Sequence, residues 1–167
     1  MDKVNVLGVK VGKYSIDSAA DRIVQYLKDG ERRKSVFTPN SEIIMMGYKD
    51  PEFCKLLNRA DILTADGIGV VYASRILKNP IETRAAGYDI ACEVLAKMAP
   101  LGMSVYLFGA KPGVAQTAAE NICKKKGFVC MGKNAWKVGM ASALAVGTGT
   151  VLLAETRKRQ MQSVDHM

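Results

Sequence analysis

An α/β fold, doubly wound around a mainly parallel sheet with helices on both faces, is predicted by three observations. Short apolar runs such as Val36-Phe37, Asp61 to Ala65 and Met103 to Phe108 alternate with longer stretches of helical period. Each run closes on a cluster rich in Gly, Pro, Asn or Asp, the punctuation of strand ends and helix starts. The chain has 167 residues, 49% apolar and 24% charged, enough to build the core of one domain of ordinary length.

Taken in order, Val4 to Val11 alternate loosely and read as a first strand. After Ser15 or Asp17 as N-cap, Ile16, Ala19, Ala20, Ile23, Val24 and Leu27 recur at helical spacing until Asp29-Gly30. Ser35-Val36-Phe37 is the next strand, ending at Thr38-Pro39-Asn40. From Ser41 to Ala60 two short helices are expected, broken near Lys49-Asp50-Pro51 because proline restricts the residue before it and suits a first turn. Asp61 to Ala65 forms a strand closed by Asp66-Gly67, and Ile68 to Leu77 a buried helix ended by Lys78-Asn79-Pro80. Asp89 to Met98 reads as a helix, Met103 to Phe108 as a strand, Gly109 to Gly113 as a turn and Val114 to Lys126 as a helix. Phe128-Val129-Cys130 starts one more strand.

The sole histidine is His166, one residue from the end, which removes Ser-His-Asp triads, Cys-His pairs and His-rich metal centres. Acid/base chemistry is left to carboxylates, Lys, Tyr or Cys. Cys54, Cys92, Cys123 and Cys130 contain no CxxC pair, which points to free thiols in a reducing compartment. The first residues lack the apolar core of a signal peptide, so a cytosolic location is expected. A net charge of +8 favours anionic partners without choosing among phosphate, nucleic acid and an acidic membrane. The excess is diffuse and no nucleic-acid recognition motif accompanies it, so nucleic acid is not the expected partner. From Val138 to Ala154 the chain carries no charge, followed by Arg157-Lys158-Arg159. As a helix that run is about 25 Å long, short of the ~30 Å hydrocarbon core. A buried strand-turn-helix with its turn at Gly147-Thr148-Gly149 is the alternative.

Three polar clusters fall at predicted strand ends, the edge where ligands bind in doubly wound sheets. Thr38-Pro39-Asn40-Ser41-Glu42 offers hydroxyl and amide groups suited to sugar hydroxyls, or else simply caps a helix through Asn40 or Ser41. Thr64 to Gly69 sets Asp66 at the end of an apolar strand, with Gly67 and Gly69 allowing close backbone approach. Asp66 there can take a proton from an attacking hydroxyl, or cap the following helix. Arg84, Gly87 and Asp89 are companions: the arginine can hold a diphosphate by paired hydrogen bonds, or stand as a solvated charge. Tyr106 to Val114 is a strand-turn-helix whose free N–H groups suit a phosphate, with Lys111 adding charge. It lacks both the P-loop pattern and the full dinucleotide fingerprint, which argues against ATPase and NAD chemistry.

Thr38 to Glu42, Arg59-Ala60-Asp61 leading through Ala65-Asp66-Gly67-Ile68-Gly69 to Val71, Arg84 through Gly87-Tyr88-Asp89, and Tyr106 through Gly113 with Ala118-Ala119-Glu120-Asn121 together resemble the WecG/TagA/CpsF glycosyltransferase family. The resemblance covers residues 1 to 130, leaving 131 to 167 as a divergent apolar segment and basic tail. It implies a Rossmann-like fold and an inverting, metal-independent hexosyltransferase without cofactor. The implied reaction moves N-acetylmannosamine from UDP-ManNAc to undecaprenyl-diphosphate-linked GlcNAc, in building the teichoic acid linkage unit or a related surface polysaccharide. By the same resemblance Asp66 is the base that deprotonates the acceptor hydroxyl, and Thr38 and Asn40 line the sugar pocket. Gly67, Arg84, Gly87 and Asp89 flank them, and Gly109, Lys111 and Gly113 flank the nucleotide cleft. The implied setting is cytoplasmic, peripheral to the inner face of an anionic membrane, with homo-oligomerisation left open. Two other readings stay open: an inactive remnant that binds nucleotide sugar, and a basic nucleic-acid-binding domain.

Overall fold

The computed structural model describes residues 2–30, 33–108, 111–126 and 151–155. It begins with a hairpin where the alternation predicts one strand: β1 (Lys3–Val6) and β2 (Val9–Gly12) pair antiparallel. Leu7 and Gly8 between them both take positive φ, 51° and 92°, the paired left-handed geometry of a tight two-residue hairpin turn. The Asn5 side chain steadies the turn by accepting from the Gly8 N–H at 2.8 Å. Period-2 patterning is the same on either side of such a turn, so the apolar spacing alone does not reveal the reversal. The register sets Val4 against Val11 and Val6 against Val9, all four buried.

α1 (Ile16–Lys28) starts on a reciprocal cap, in which Ser15 Oγ accepts from the Ser18 N–H and Ser18 Oγ from the Ser15 N–H. Its Ala19, Ala20 and Val24 face inward. β3 (Val36–Phe37) follows, then α2 (Ser41–Lys49) and α3 (Pro51–Asn58), divided where expected. Asp50 is extended, as a residue before proline prefers, and its carboxylate caps α3 at the Glu52 and Phe53 N–H groups. α2 and the hairpin meet at Gly47, where an added Cβ would lie 3.2 Å from Leu57 Cδ1 and 3.4 Å from Val9 Cγ2.

β4 (Ile62–Leu63) pairs parallel with β3, Val36 opposite Ile62 and Phe37 opposite Leu63. α4 (Ile68–Ile76) and α5 (Gly87–Met98) complete this part. The core joins the hairpin valines to Ile44, Leu57, Leu63, Ala65, Val70, Val71 and Ile81. At roughly 1.5–3 kcal/mol per fully buried aliphatic side chain, this cluster is the main favourable term for the region. Lys97 near the end of α5 pairs with Asp17 and Asp21 of α1, which raise its pKa.

By packing, the chain divides into two units, 1–97 and 98–167. That boundary differs in kind from the limit of family likeness expected at residue 130. The second unit holds β5 (Ser104–Phe108), α6 (Val114–Lys126) and β6 (Val151–Glu155). β6 pairs antiparallel with β5, Ser104 opposite Glu155 and Phe108 opposite Val151. The chain is thus α/β as expected; among the described residues β3 and β4 form the parallel pair, and the other two pairs are antiparallel.

The strand expected at Phe128 to Cys130 and the turn at Gly147 to Gly149 lie outside the described residues. Val151 to Ala154, the end of the uncharged run, are in a strand, which rules out one continuous helix from Val138 to Ala154. Among the described residues no helix is long and apolar enough to cross a membrane. Cys54 and Cys92 are free, but Cys123 is disulfide-bonded, a correction to the expectation of free thiols. Bridging depends on Cα separation in space, which sequence spacing does not decide.

Candidate functional site

Because β3 and β4 run parallel, their C-terminal ends emerge on the same edge. The pairing outlasts the strands themselves: Thr64 N–H donates to Phe37 O at 3.0 Å and Asp66 N–H to Pro39 O at 3.2 Å. Thr38-Pro39-Asn40 and Thr64-Ala65-Asp66 therefore advance side by side. A third segment joins them, since Ala85 N–H donates to Ala65 O at 2.9 Å and the fully buried Thr64 Oγ1 donates to Ala85 O at 3.0 Å. Two bonds of this kind fasten the Arg84-Ala85-Ala86 stretch against the end of β4.

Asp66 sits where the three meet. Its Oδ2 accepts from the Gly87 N–H, the first of α5, at 3.2 Å, and its Oδ1 is 3.8 Å from Arg84 Nε. Arg84 Nη2 is in turn 3.9 Å from Asp89 Oδ2. The arginine thus stands between two carboxylates at loose range, with its side chain 53% exposed, Asp66 32% and Asp89 48%. Charges this wet contribute little to stability, so their convergence is not accounted for by folding. Asp61 stands at the other, N-terminal end of the β3–β4 pair, beside Ser35. Asp61 is raised by burial, but the Ser35 N–H bond and Lys34 outweigh that and hold its carboxyl below the ordinary value.

Two glycines make the approach feasible. A Cβ on Gly87 would lie 2.6 Å from Thr38 Oγ1 and 3.2 Å from its Cγ2, so only glycine lets the α5 backbone reach the Thr38 side chain. Gly67 takes φ 133° beside Asn40, a conformation that side-chain-bearing residues avoid. As N-cap of α4, Gly67 supplies no side-chain hydrogen bond, and Asp66 does not cap that helix. The carboxylate turns instead to the start of α5, an outcome that spacing from α4 alone does not suggest.

Asn40 does cap: its Oδ1 accepts from the Ile43 N–H at 2.9 Å. The carboxamide nitrogen makes no hydrogen bond among the described residues, so its two N–H donors are unused there. Thr38, Asn40, Asp66, Gly67, Arg84, Gly87 and Asp89 are therefore all drawn to one strand edge of the first unit. Lys111 and Gly113 belong to the second unit, in the turn before α6, where Gly113 takes φ 88° and its carbonyl accepts from Thr117 Oγ1 at 3.1 Å. Gly109 lies outside the described residues. Among the described residues no group of three His, Cys, Asp or Glu side chains is gathered in a way that could hold a metal ion.

Sequence reasoning placed Thr64 in the second polar cluster but gave it no part of its own. Its signal was a hydroxyl in an otherwise apolar run, Ile62-Leu63-Thr64-Ala65, where a buried polar group requires a partner.

The model of the glycosyl transferase WecG/TagA/CpsF family matches residues 4–159. The chain is also similar to the N-acetylglucosaminyldiphosphoundecaprenol N-acetyl-beta-D-mannosaminyltransferase of Bacillus subtilis strain 168, at 30% identity over 108 residues, 65% of this chain and 42% of that protein. The enzyme of the same name from Staphylococcus aureus strain NCTC 8325 is 29% identical over 117 residues, 70% of this chain and 46% of its own length. The chain spans less than half the length of these curated relatives.

Proposed function

We propose, from the premise that this chain belongs to the glycosyl transferase WecG/TagA/CpsF family, that its strand-edge cluster transfers a sugar from a nucleotide donor to a lipid-linked acceptor. The donor in this reading is UDP-ManNAc and the acceptor undecaprenyl-diphosphate-linked GlcNAc, the acceptor and sugar of the relatives' names. The observation that carries it is the placement of Asp66, a part-buried carboxylate at a parallel strand end with Arg84 beside it and Thr38 and Asn40 across the strand gap.

The acceptor hydroxyl gives its proton to the free lone pairs of the Asp66 carboxylate as its oxygen attacks the anomeric carbon. The bond from that carbon to the UDP oxygen breaks with its electron pair leaving on UDP, and configuration inverts. Arg84 offers the departing diphosphate a fork of N–H donors, and its loose contacts at 3.8 and 3.9 Å leave it able to turn. Thr38 Oγ1 and the Asn40 amide hold sugar hydroxyls. No metal ion or cofactor enters this scheme. The setting proposed is the cytoplasmic face of the membrane, which a lipid-linked acceptor requires.

A second reading, nucleotide-sugar binding without turnover, draws support from the exposure of Asp66, Arg84 and Asp89, because charges in high dielectric stabilise a transition state weakly. Calorimetry with UDP and a turnover assay separate the two. Asp66→Asn is expected to keep UDP binding and lower transfer by about 10²–10⁴-fold, the usual share of a general base. Unchanged transfer in Asp66→Asn removes the residue from that role, and UDP heat without transfer in the unaltered chain selects the second reading. Lys111→Ala tests the phosphate role of the second unit's turn separately, and transfer that survives chelators supports the metal-free scheme.

A further inference from the structure

α4 buries one side and leaves the other bare. Val70, Val71 and Ser74 face the core, while Ile68, Tyr72 and Ile76, four residues apart, form an apolar line on the opposite side. Their exposures, 58%, 54% and 82%, are high for large apolar groups, and Leu77 just beyond is 50% exposed. Arg75 lies on this side too, its guanidinium 5.6 Å from the centre of the Tyr72 ring. From Gly67 to Ile81 there is no acidic residue, and the charges are Arg75 and Lys78.

We propose that this face of α4 is a docking surface for an anionic lipid bilayer. Three features choose the bilayer over another occupant. Aliphatic side chains with a tyrosine and flanking cations suit the interfacial zone, where apolar groups enter the acyl boundary and Arg or Lys meets headgroup phosphates. A second copy seated on the same patch would bring Arg75 and Lys78 against their own counterparts, with no carboxylate on the helix to offset them. The line also begins beside the chemistry: Ile68 follows Asp66 and Gly67 directly, so a helix lying on the membrane holds the strand-edge cluster next to it. The inference rests on the reading of a lipid-linked acceptor for its purpose, but the surface itself stands on the exposure and charge of α4.

The test is co-sedimentation of the full chain with vesicles of phosphatidylcholine alone and of an equimolar mixture with phosphatidylglycerol, at low and high salt. Binding to the mixed vesicles is expected to fall at least about tenfold in a Tyr72→Ser, Ile76→Ser double variant. About fivefold is expected for Arg75→Gln, with weaker salt dependence. All these side chains are exposed, and circular dichroism checks that the variants fold. Failure of the unaltered chain to bind mixed vesicles at low salt overturns the proposal. So does full binding by both variants, which moves the contact elsewhere, and so does loss of self-association in place of vesicle binding, which assigns the face to a second copy. UDP calorimetry on the same samples keeps the two readings apart. UDP heat without vesicle binding breaks the α4 assignment alone, and vesicle binding without UDP heat breaks the nucleotide site alone.

Discussion

The β1–β2 hairpin and the edge beyond β3 and β4 are built on opposite terms. In the hairpin the side chains decide: four valines alternate inward, are almost wholly buried, and join the central cluster. At the strand edge the backbone decides. Arg84 and Asp89 are exposed and Asp66 is part-buried, and what holds them together is a set of bonds to the main chain and two glycines. Apolar area removed from water supplies the stability of the first region, whereas the second spends close backbone approach on an arrangement of wet charges that returns little to folding. Core substitutions should therefore act on stability and substitutions of the edge charges on function, while the backbone contacts that carry the edge bear on both.

The largest stability effect should come from the inner side of that divide. Ile62 is fully buried in β4, directly below the site, and Ile62→Ala should cost about 2–5 kcal/mol through lost burial and a residual cavity. Urea denaturation reads it, and a cost no larger than that of an exposed substitution would break the contrast.

Gly87→Ala comes next, because the new methyl meets Thr38 Oγ1 at 2.6 Å and must displace either the side chain or the start of α5. A loss of about 1–3 kcal/mol is expected. Adding Thr38→Ala removes both of the nearest atoms and should restore most of the stability while leaving UDP-sugar binding impaired. Recovery of both would show that Thr38 does not touch the ligand.

Thr64→Val keeps the shape and deletes the bond to the Ala85 carbonyl, leaving a buried acceptor unpaired. About 1–3 kcal/mol should be lost. UDP affinity should fall along with stability, because the Arg84 segment hangs on that bond. Undiminished affinity would mean that the Ala85 N–H bond to Ala65 O and the Gly87 N–H bond to the Asp66 carboxylate suffice.

The smallest effect concerns Asp61, whose carboxyl is held below its ordinary value of 3.8. A depressed folded-state value stabilises the native chain above the unfolded value, and the gain disappears as pH falls from there through the folded value. Asp61→Asn should therefore be less stable than the unaltered chain at neutral pH and converge with it in acid. A difference that stays constant with pH would mean that the residue acts by shape alone.

Much of this was legible in the residues themselves. α6 runs from Val114 to Lys126 as the spacing predicts, the break before Pro51 is in place, and Ser15 and Asn40 cap the helices that follow them. These are local effects: periodicity, a fixed proline φ and a side chain reaching its own neighbours act within a few positions of the chain. The polar clusters were also visible as strand-end punctuation, which singled out Thr38, Asn40 and Asp66, with Arg84 as a companion before a helix start.

What local chemistry could not decide was which partner each group takes. The reversal at Leu7-Gly8 left the valine alternation unchanged, so one strand and two looked alike until pairing chose. Asp66 had a helix start two residues ahead, and yet its carboxylate went to the Gly87 N–H, 21 positions away. Thr64 likewise reached Ala85 and Gly87 reached Thr38. Such contacts depend on the parallel pairing of β3 and β4 and on the return of the chain after α4. Residue types along the chain set out the donors, acceptors and glycines; only long-range packing, which closes loops of twenty residues and more against their entropy, determined which of them meet.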